Sequence, residues 1–402
     1  MSAFDPERLA RLAQAIQHHV EQDQVGGVAW LLAAGDQVEV GVAGQLTRGE
    51  ATPVGRDSIF RISSMTKPIV AVAALILVED YKLRLDDPVD ALLPELSDRR
   101  VLIDAHGPID GETVAAQRPI TLHDVLTFRL GIGMDFAAPW PQPFLDALAE
   151  LELGAGPPEP QVAPPPDEWM RRLSTLPLLY QPGERWLYNS GADVVGVLIA
   201  RAAGRPLDVV LRDRVFEPLG MVDTAFSVTE VNRFGTCYGT DPSGERFVFD
   251  PPVGQWAKPP AFPSGAAGLV STVDDLHAFA RMLLSGGRLP DGSRLLSRAS
   301  IDAMTTDQID VASGAPGPLP DGSQGWGFGV GVQVRRTGLG PSVGSYGWAG
   351  GMGSMWSNDP SNELVGVMLT TDAFAGPFPP PAVIQDFWTG AYTALGDLPG
   401  RS

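Results

Sequence analysis

The run Pro68–Val78, PIVAVAALILV, contains no polar side chain. It is shorter than the roughly 20 apolar residues that a membrane-spanning helix needs. It has helical length, is rich in Ala and Leu, and predicts a helix buried in the interior of a globular protein. Pro68 suits the first turn, where a missing N–H breaks no hydrogen bond. The residues before it are small and polar: Ser63, Ser64, Met65, Thr66 and Lys67. This order places Ser64 at or just before the helix N-terminus. Lys67 follows about one turn later, on the same face.

A serine hydroxyl is a weak nucleophile until a neighbouring base takes its proton. A desolvated lysine can be that base, because burial disfavours the ammonium and brings its pKa from about 10.4 toward neutrality. The N-terminal N–H groups of the helix suit an oxyanion. The plainer alternative is an N-cap serine followed by a solvated lysine. Two features weigh against it: the chain has only three lysines, Lys67, Lys82 and Lys258, and Lys67 directly precedes an apolar helix.

At 402 residues the chain can bury a large core and is expected to form two lobes. Its net charge of −19 makes binding to nucleic-acid phosphates unfavourable. A single cysteine, Cys237, forbids an intrachain disulfide and fits a reducing compartment. The N-terminal residues read as an amphipathic helix with Leu9, Leu12, Ile16 and Val20 on one side, not as a signal segment. A cytoplasmic protein without membrane or nucleic-acid partners is the expectation. Its oligomeric state is left open.

Residues 26–44 read as two strands around a Gly35-Asp36 turn. Residues 83–96 suggest a turn and a short helix, and residues 97–119 a loop. Pro119–Leu130 suggests a helix with Thr121 as N-cap and Asp124 at N3. The Pro-rich stretch 137–168 is expected to be irregular around one helix, Pro143–Leu153. A helix from about Ser190 should end at Gly204, and another should follow over Pro206–Val215. Ser271 to Asp274 predicts a capping-box start for a helix through Leu284. Residues 325–336 alternate glycine with Trp326, Phe328, Val330 and Val332, which predicts one strand with those side chains on one face and bare backbone on the other. Further strands follow, and Ile384–Leu395 closes the chain as a helix. Strands at both ends with helices between predict an α/β lobe of about residues 1–60 with 265–402, and an inserted helical lobe of about 61–264.

Two more segments carry chemistry. Tyr188 stands just before a helix in W-L-Y-N-S-G, and Trp348-Ala349-Gly350-Gly351 lies in an expected strand whose glycines let a substrate approach the backbone. On their own, a core tyrosine and an edge strand with glycines for packing are the plainer readings.

Ser64-x-x-Lys67, the Pro182-Gly183 turn followed by Tyr188, the Trp348-x-Gly350 element and Asp359-Pro360 occur in an order that resembles the serine β-lactamase and penicillin-binding-protein superfamily. Within it the chain is most similar to the family VIII carboxylesterases, which are related to class C β-lactamases. The resemblance runs from about Gly27 to Thr371. It implies an α/β (α+β) β-lactamase-like fold, with an antiparallel sheet flanked by terminal helices and an inserted helical lobe. It implies Ser64 as acylated nucleophile, Lys67 as holder or acceptor of its proton, and Tyr188 as general-base partner, its phenolate favoured by Lys67. The N–H groups of Ser64 and Gly351 would form the oxyanion hole, and Trp348, Gly350, Asn189 and Ser190 would meet substrate. No cofactor or metal is implied.

The chain also departs from that pattern. The family's frequent Tyr-x-Asn becomes Tyr188-Asn189-Ser190, with the asparagine in the middle. Where β-lactamases have Lys-Thr/Ser-Gly, this chain has Trp348-Ala349-Gly350, without the cation that would pair with a β-lactam carboxylate. That favours neutral esters. Leu126–Gly131 also differs from the family's frequent His-Thr-Ser-Gly.

His18, His19, His106, His123 and His277 show no compact metal-ligand spacing. There is no G-x-S-x-G elbow, and the acids are too dispersed for a paired-carboxylate glycosidase. The expectation is a serine hydrolase of small neutral carboxylic esters. An acyltransferase using the same acyl-enzyme, a β-lactamase or DD-peptidase, and a non-catalytic binding protein on this scaffold are the alternatives.

Overall fold

The computed structural model describes residues 2–311, 314–315, 317–374 and 381–396. Its main sheet contains β1 (Gly27–Ala34), β2 (Gln37–Gly44), β3 (Gln324–Trp326), β4 (Gly331–Gln333), β5 (Tyr346–Gly350), β6 (Ser354–Asp359) and β7 (Leu364–Thr370). The spatial order is β2-β1-β7-β6-β5-β4-β3, and all neighbours are antiparallel. The helices that matter for the site are α1 (Pro6–Glu21), α2 (Thr66–Glu79), α3 (Leu122–Leu126), α4 (Ser190–Ala203), α5 (Val273–Leu284) and α6 (Ala382–Ala394).

β1 is buried along its whole length because both of its faces are covered. Val28, Trp30, Leu32 and Ala34 join Leu12, Ile16 and Phe387 of the two terminal helices. The alternate residues Ala29, Leu31 and Ala33 join the larger core on the other side, which contains α2. β7 divides the same way, with Leu364 and Met368 facing the terminal helices and Val365, Val367 and Leu369 facing the larger core.

α2 is buried from Thr66 to Leu77, as an apolar run without a polar face requires. A short 3₁₀ turn, Ser63–Met65, leads into it, and Ser63 adopts a left-handed backbone (φ 46°). This entry is fixed from two sides. Ser354 Oγ of β6 donates to Ile62 O at 2.8 Å, and Thr66 Oγ1 donates to Ser63 O at 2.7 Å. Gly350 of β5 lies so close that a Cβ there would stand 2.2 Å from Ile62 O. The nucleophile segment therefore sits between one end of the sheet and the helices.

Several local expectations change. Residues 325–336 form the hairpin β3–β4, not one strand. Gly327 N donates to Val330 O at 2.8 Å, and Gly329 turns through φ 68°. All four apolar residues are still buried. Alternation does not register a tight reversal. The bare backbone does permit close approach, since a Cβ on Gly329 would meet Lys67 O at 3.0 Å and Ala71 Cβ at 2.9 Å. Residues 97–119 contain a short hairpin, Arg100–Leu102 with Thr113–Ala115. In 83–96 only Pro94–Leu96 forms a 3₁₀ turn. The Pro-rich stretch holds a second helix, Pro166–Leu173, whose proline start hid it. α5 is capped by Thr272, which accepts from Asp275 N, one residue later than the Ser271–Asp274 reading. The Thr121–Asp124 capping box and the Gly204 C-cap stand as read, although α3 is only Leu122–Leu126.

Candidate active site

Ser64 lies in the 3₁₀ turn and Lys67 in the first turn of α2, both buried. Lys67 Nζ is 2.9 Å from Ser64 Oγ, 2.8 Å from Asn189 Oδ1 and 2.7 Å from Ala266 O. Burial pushes Lys67 down to about 7, while Asp193 pulls it the other way. This arrangement suits a neutral amine. Asn189 Oδ1 and Ala266 O can only accept, so they use two N–H groups and leave the lone pair aimed at Ser64 Oγ.

The cap and first turn of α4 supply two Lys67 neighbours, Asn189 and Asp193, that sequence reading did not anticipate in this role. Asn189, at its N-terminus, has φ 85° and ψ −67°, and Ser190 N donates to Tyr188 O at 3.3 Å. This is the rare, strained form of the γ-turn. It carries Asn189 from the tyrosine to the lysine. One turn later, buried Asp193 accepts from Ser264 Oγ (2.7 Å) and Ala266 N (3.1 Å). Asp193 thus holds the peptide N–H of the residue whose carbonyl binds Lys67. Burial raises its own pKa, and these donors and Lys67 oppose that rise. The helical spacing of Asn189 and Asp193 was the available signal for Asp193. A backbone acceptor such as Ala266 leaves no residue-type signal.

Tyr188 is half-buried among Phe128, Phe136, Trp186, Trp326 and Trp348. Its hydroxyl accepts from Trp348 Nε1 at 2.8 Å and hydrogen-bonds the Ser64 side chain. Lys67 Nζ lies 4.6 Å from its ring centre. Burial pushes Tyr188 up to about 12, with both hydrogen bonds opposing the rise. The resting residue is therefore a neutral phenol. Desolvation disfavours the phenolate at rest, so Tyr188 reaches that form only as its proton is passed on.

The four residues expected to meet substrate have the following places. Trp348 donates to Tyr188 and packs edge-on against Trp326 at 4.6 Å. Gly350 lies against Ile62. Asn189 faces Lys67, and Ser190 is buried at the start of α4. Gly351 opens onto free space, and its carbonyl accepts from Phe374 N at 2.8 Å. Arg129 takes no part here; its guanidinium Nε reaches Thr127 Oγ1 at 3.4 Å, and its carbonyl anchors Gly183. Among the described residues, no arginine or second lysine hydrogen-bonds Ser64, Tyr188 or Trp348. No helix among them is long and apolar enough to cross a membrane.

An antiparallel sheet backed by terminal helices, with S-x-x-K at the head of a buried helix beside it, defines the architecture of the serine β-lactamase superfamily. Residues 12–383 match the family described as Beta-lactamase, and the chain belongs to it. It is 38% identical over 327 residues to Protein Rv1367c of Mycobacterium tuberculosis, covering 78% of this chain and 77% of that one. It is 32% identical over 378 residues to Esterase EstB of Burkholderia gladioli, covering 89% and 88%. Among solved structures it is similar to EstCE1, a hydrolase with promiscuous acyltransferase activity, with a TM-score of 0.78, 25% identity, and coverage of 96% and 99%. The likeness to EstB and EstCE1 places it on the family VIII esterase-like side of the superfamily.

Proposed function

We propose that this protein hydrolyses small neutral carboxylic esters through an acyl-enzyme on Ser64. The observation that carries this reading is Lys67, a buried amine pushed down to about 7, with two fixed acceptors and its third contact on Ser64 Oγ. The resemblance to EstB and EstCE1 supports the reaction class.

Neutral Lys67 takes the Ser64 proton as Oγ attacks the ester carbonyl. The oxyanion is held by the N–H groups of Ser64 and Gly351, each such donor being worth roughly 10²–10³ in rate. The C–O bond to the alcohol breaks, and the departing alkoxide takes the Tyr188 proton. The phenolate so formed accepts from Trp348 Nε1 and lies against the Lys67 ammonium. Water then gives its proton to Tyr188 as it attacks the acyl carbon. Ser64 Oγ leaves with the proton from Lys67, and the cycle closes with acid and alcohol released. The tryptophan at the position of the β-lactamase cation favours uncharged substrates over penicillins.

A second reading, acyl transfer to an alcohol, is favoured by the activity in EstCE1's description. p-Nitrophenyl butyrate, with nitrophenol release and intact mass followed together, tests both. A burst and an acyl adduct on wild type, absent in Ser64→Ala, are expected. Steady turnover in water means hydrolase. A stalled adduct discharged by an added alcohol means transferase. Equal activity in Ser64→Ala would refute the nucleophile assignment.

A further inference from the structure

The segment from Gly133 to Gln142 is built more firmly than a surface loop needs. Met134 N donates to Tyr188 O at 2.9 Å, and Tyr188 N donates to Met134 O at 2.8 Å, so the segment is zipped to the tyrosine's own backbone. Gly133 (φ 140°) makes this approach possible, because a Cβ there would stand 2.5 Å from Tyr188 O. Asp135 is buried and paired with Arg185 at 2.8 Å, three residues before Tyr188. The Gln142 side chain closes the loop by accepting from Asp135 N (3.1 Å) and donating to Asp135 O (2.7 Å). Asp135 Oδ1 accepts from Ala137 N at 2.9 Å. Between these anchors stands Phe136, half-buried, its ring 5.1 Å from that of Tyr188 and 5.5 Å from that of Trp186. With Tyr188, Val334 and Trp348 it forms the partly open edge of an otherwise buried aromatic cluster.

We infer that Phe136 is the specificity-determining residue for the alcohol half of the ester, favouring esters of aromatic or similarly bulky apolar alcohols. This rests on the hydrolase reading above. Tyr188 protonates the departing alkoxide, so the alcohol oxygen sits at the Tyr188 hydroxyl when its bond breaks. Of the rings around Tyr188 only Phe136 and Trp348 are partly open; Trp348 is engaged with the Tyr188 hydroxyl, so Phe136, 5.1 Å from the Tyr188 ring, is the one left to meet the group attached to that oxygen. Rigid anchoring on both sides means that the ring is in place before substrate arrives. The same site receives an incoming alcohol. Its oxygen attacks the acyl carbon, its proton goes to the Tyr188 phenolate, and Ser64 Oγ departs with the Lys67 proton. An aromatic alcohol is therefore a better acyl acceptor than methanol.

The test compares benzyl acetate with methyl acetate, which share an acyl group, and methyl hexanoate with methyl acetate, which share an alcohol. Wild type should prefer benzyl over methyl acetate in kcat/KM. Phe136→Ala should lower that ratio roughly tenfold or more, the size of losing an apolar contact in a specificity pocket, and leave the hexanoate-to-acetate ratio in place. Benzyl-over-methanol acceptor preference should fall with it. Ratios within one variant cancel differences in active fraction, and Phe136→Leu carries the same comparison if the alanine variant does not fold. An unchanged benzyl ratio, or a change in the hexanoate ratio instead, overturns the assignment while leaving the hydrolase reading intact. No turnover of any ester and no Ser64 adduct in wild type would overturn both.

Discussion

Trp348→Phe removes one polar group from Tyr188, the indole N–H at 2.8 Å, and leaves a ring to pack against Trp326. In the resting enzyme this bond joins two neutral groups, a type worth about 0.5–1.5 kcal/mol net. Tyr188 is half-buried, so water can replace it. When Tyr188 is a phenolate, the same N–H faces a charged acceptor, a type worth about 1.5–3 kcal/mol. The difference of roughly 1–2 kcal/mol falls on steps that pass through the phenolate, a loss of about 5- to 30-fold. p-Nitrophenyl butyrate separates those steps. p-Nitrophenolate leaves as the anion without needing the Tyr188 proton, so acylation is spared; Tyr188 then loses that proton to solvent, and in deacylation the phenolate takes a proton from the attacking water. Stopped-flow traces should keep a full, fast burst and show a steady slope reduced by that factor. Alkyl esters, which need the proton, should slow in acylation as well. A burst and slope reduced equally, or neither reduced, would refute a phenolate supported by Trp348.

The acid limb of kcat/KM should fall near pH 7, where Lys67 gains its proton; Asp193→Asn removes the charge that favours the ammonium, so the limb should move to lower pH in a pH–rate profile. Stability should carry the same signature. Between pH 7 and 10.5 the unfolded lysine is protonated and the folded one neutral, so the unfolded state binds more protons and stability rises with pH. Wild type should gain up to about 1.4 kcal/mol per pH unit over Lys67→Met in denaturant titrations across that window. A constant difference would place the lysine's folded pKa elsewhere. Asn189→Gly should relieve the positive-φ strain yet remove an acceptor from Lys67, holding or raising the unfolding midpoint while acylation slows; faster acylation would exclude Asn189 from orienting the lysine.

Much of the scaffold was legible in local pattern. The amphipathic N-terminal helix, the Gly35-Asp36 hairpin, the apolar α2, the Thr121–Asp124 cap and the Gly204 end each rest on chemistry within a few residues. The reading failed where one pattern suits two shapes. Alternating glycines fit a strand or the hairpin β3–β4, and prolines at 165–166 read as irregular although they start a helix.

The sequence by itself determined that Ser64 and Lys67 share one face at the head of a buried helix, because a three-residue spacing in a helix leaves little choice. The tertiary structure alone decided how Lys67 and Tyr188 hold their protons. Lys67 is starved of water by α2's neighbours, held by the Ala266 carbonyl from a loop 199 residues away, and countered by Asp193. Tyr188 is pushed toward the phenol because aromatic rings from separate segments pack against it and strip away much of its water. Protonation depends on what surrounds a group in three dimensions, and residues far apart in the chain set that environment.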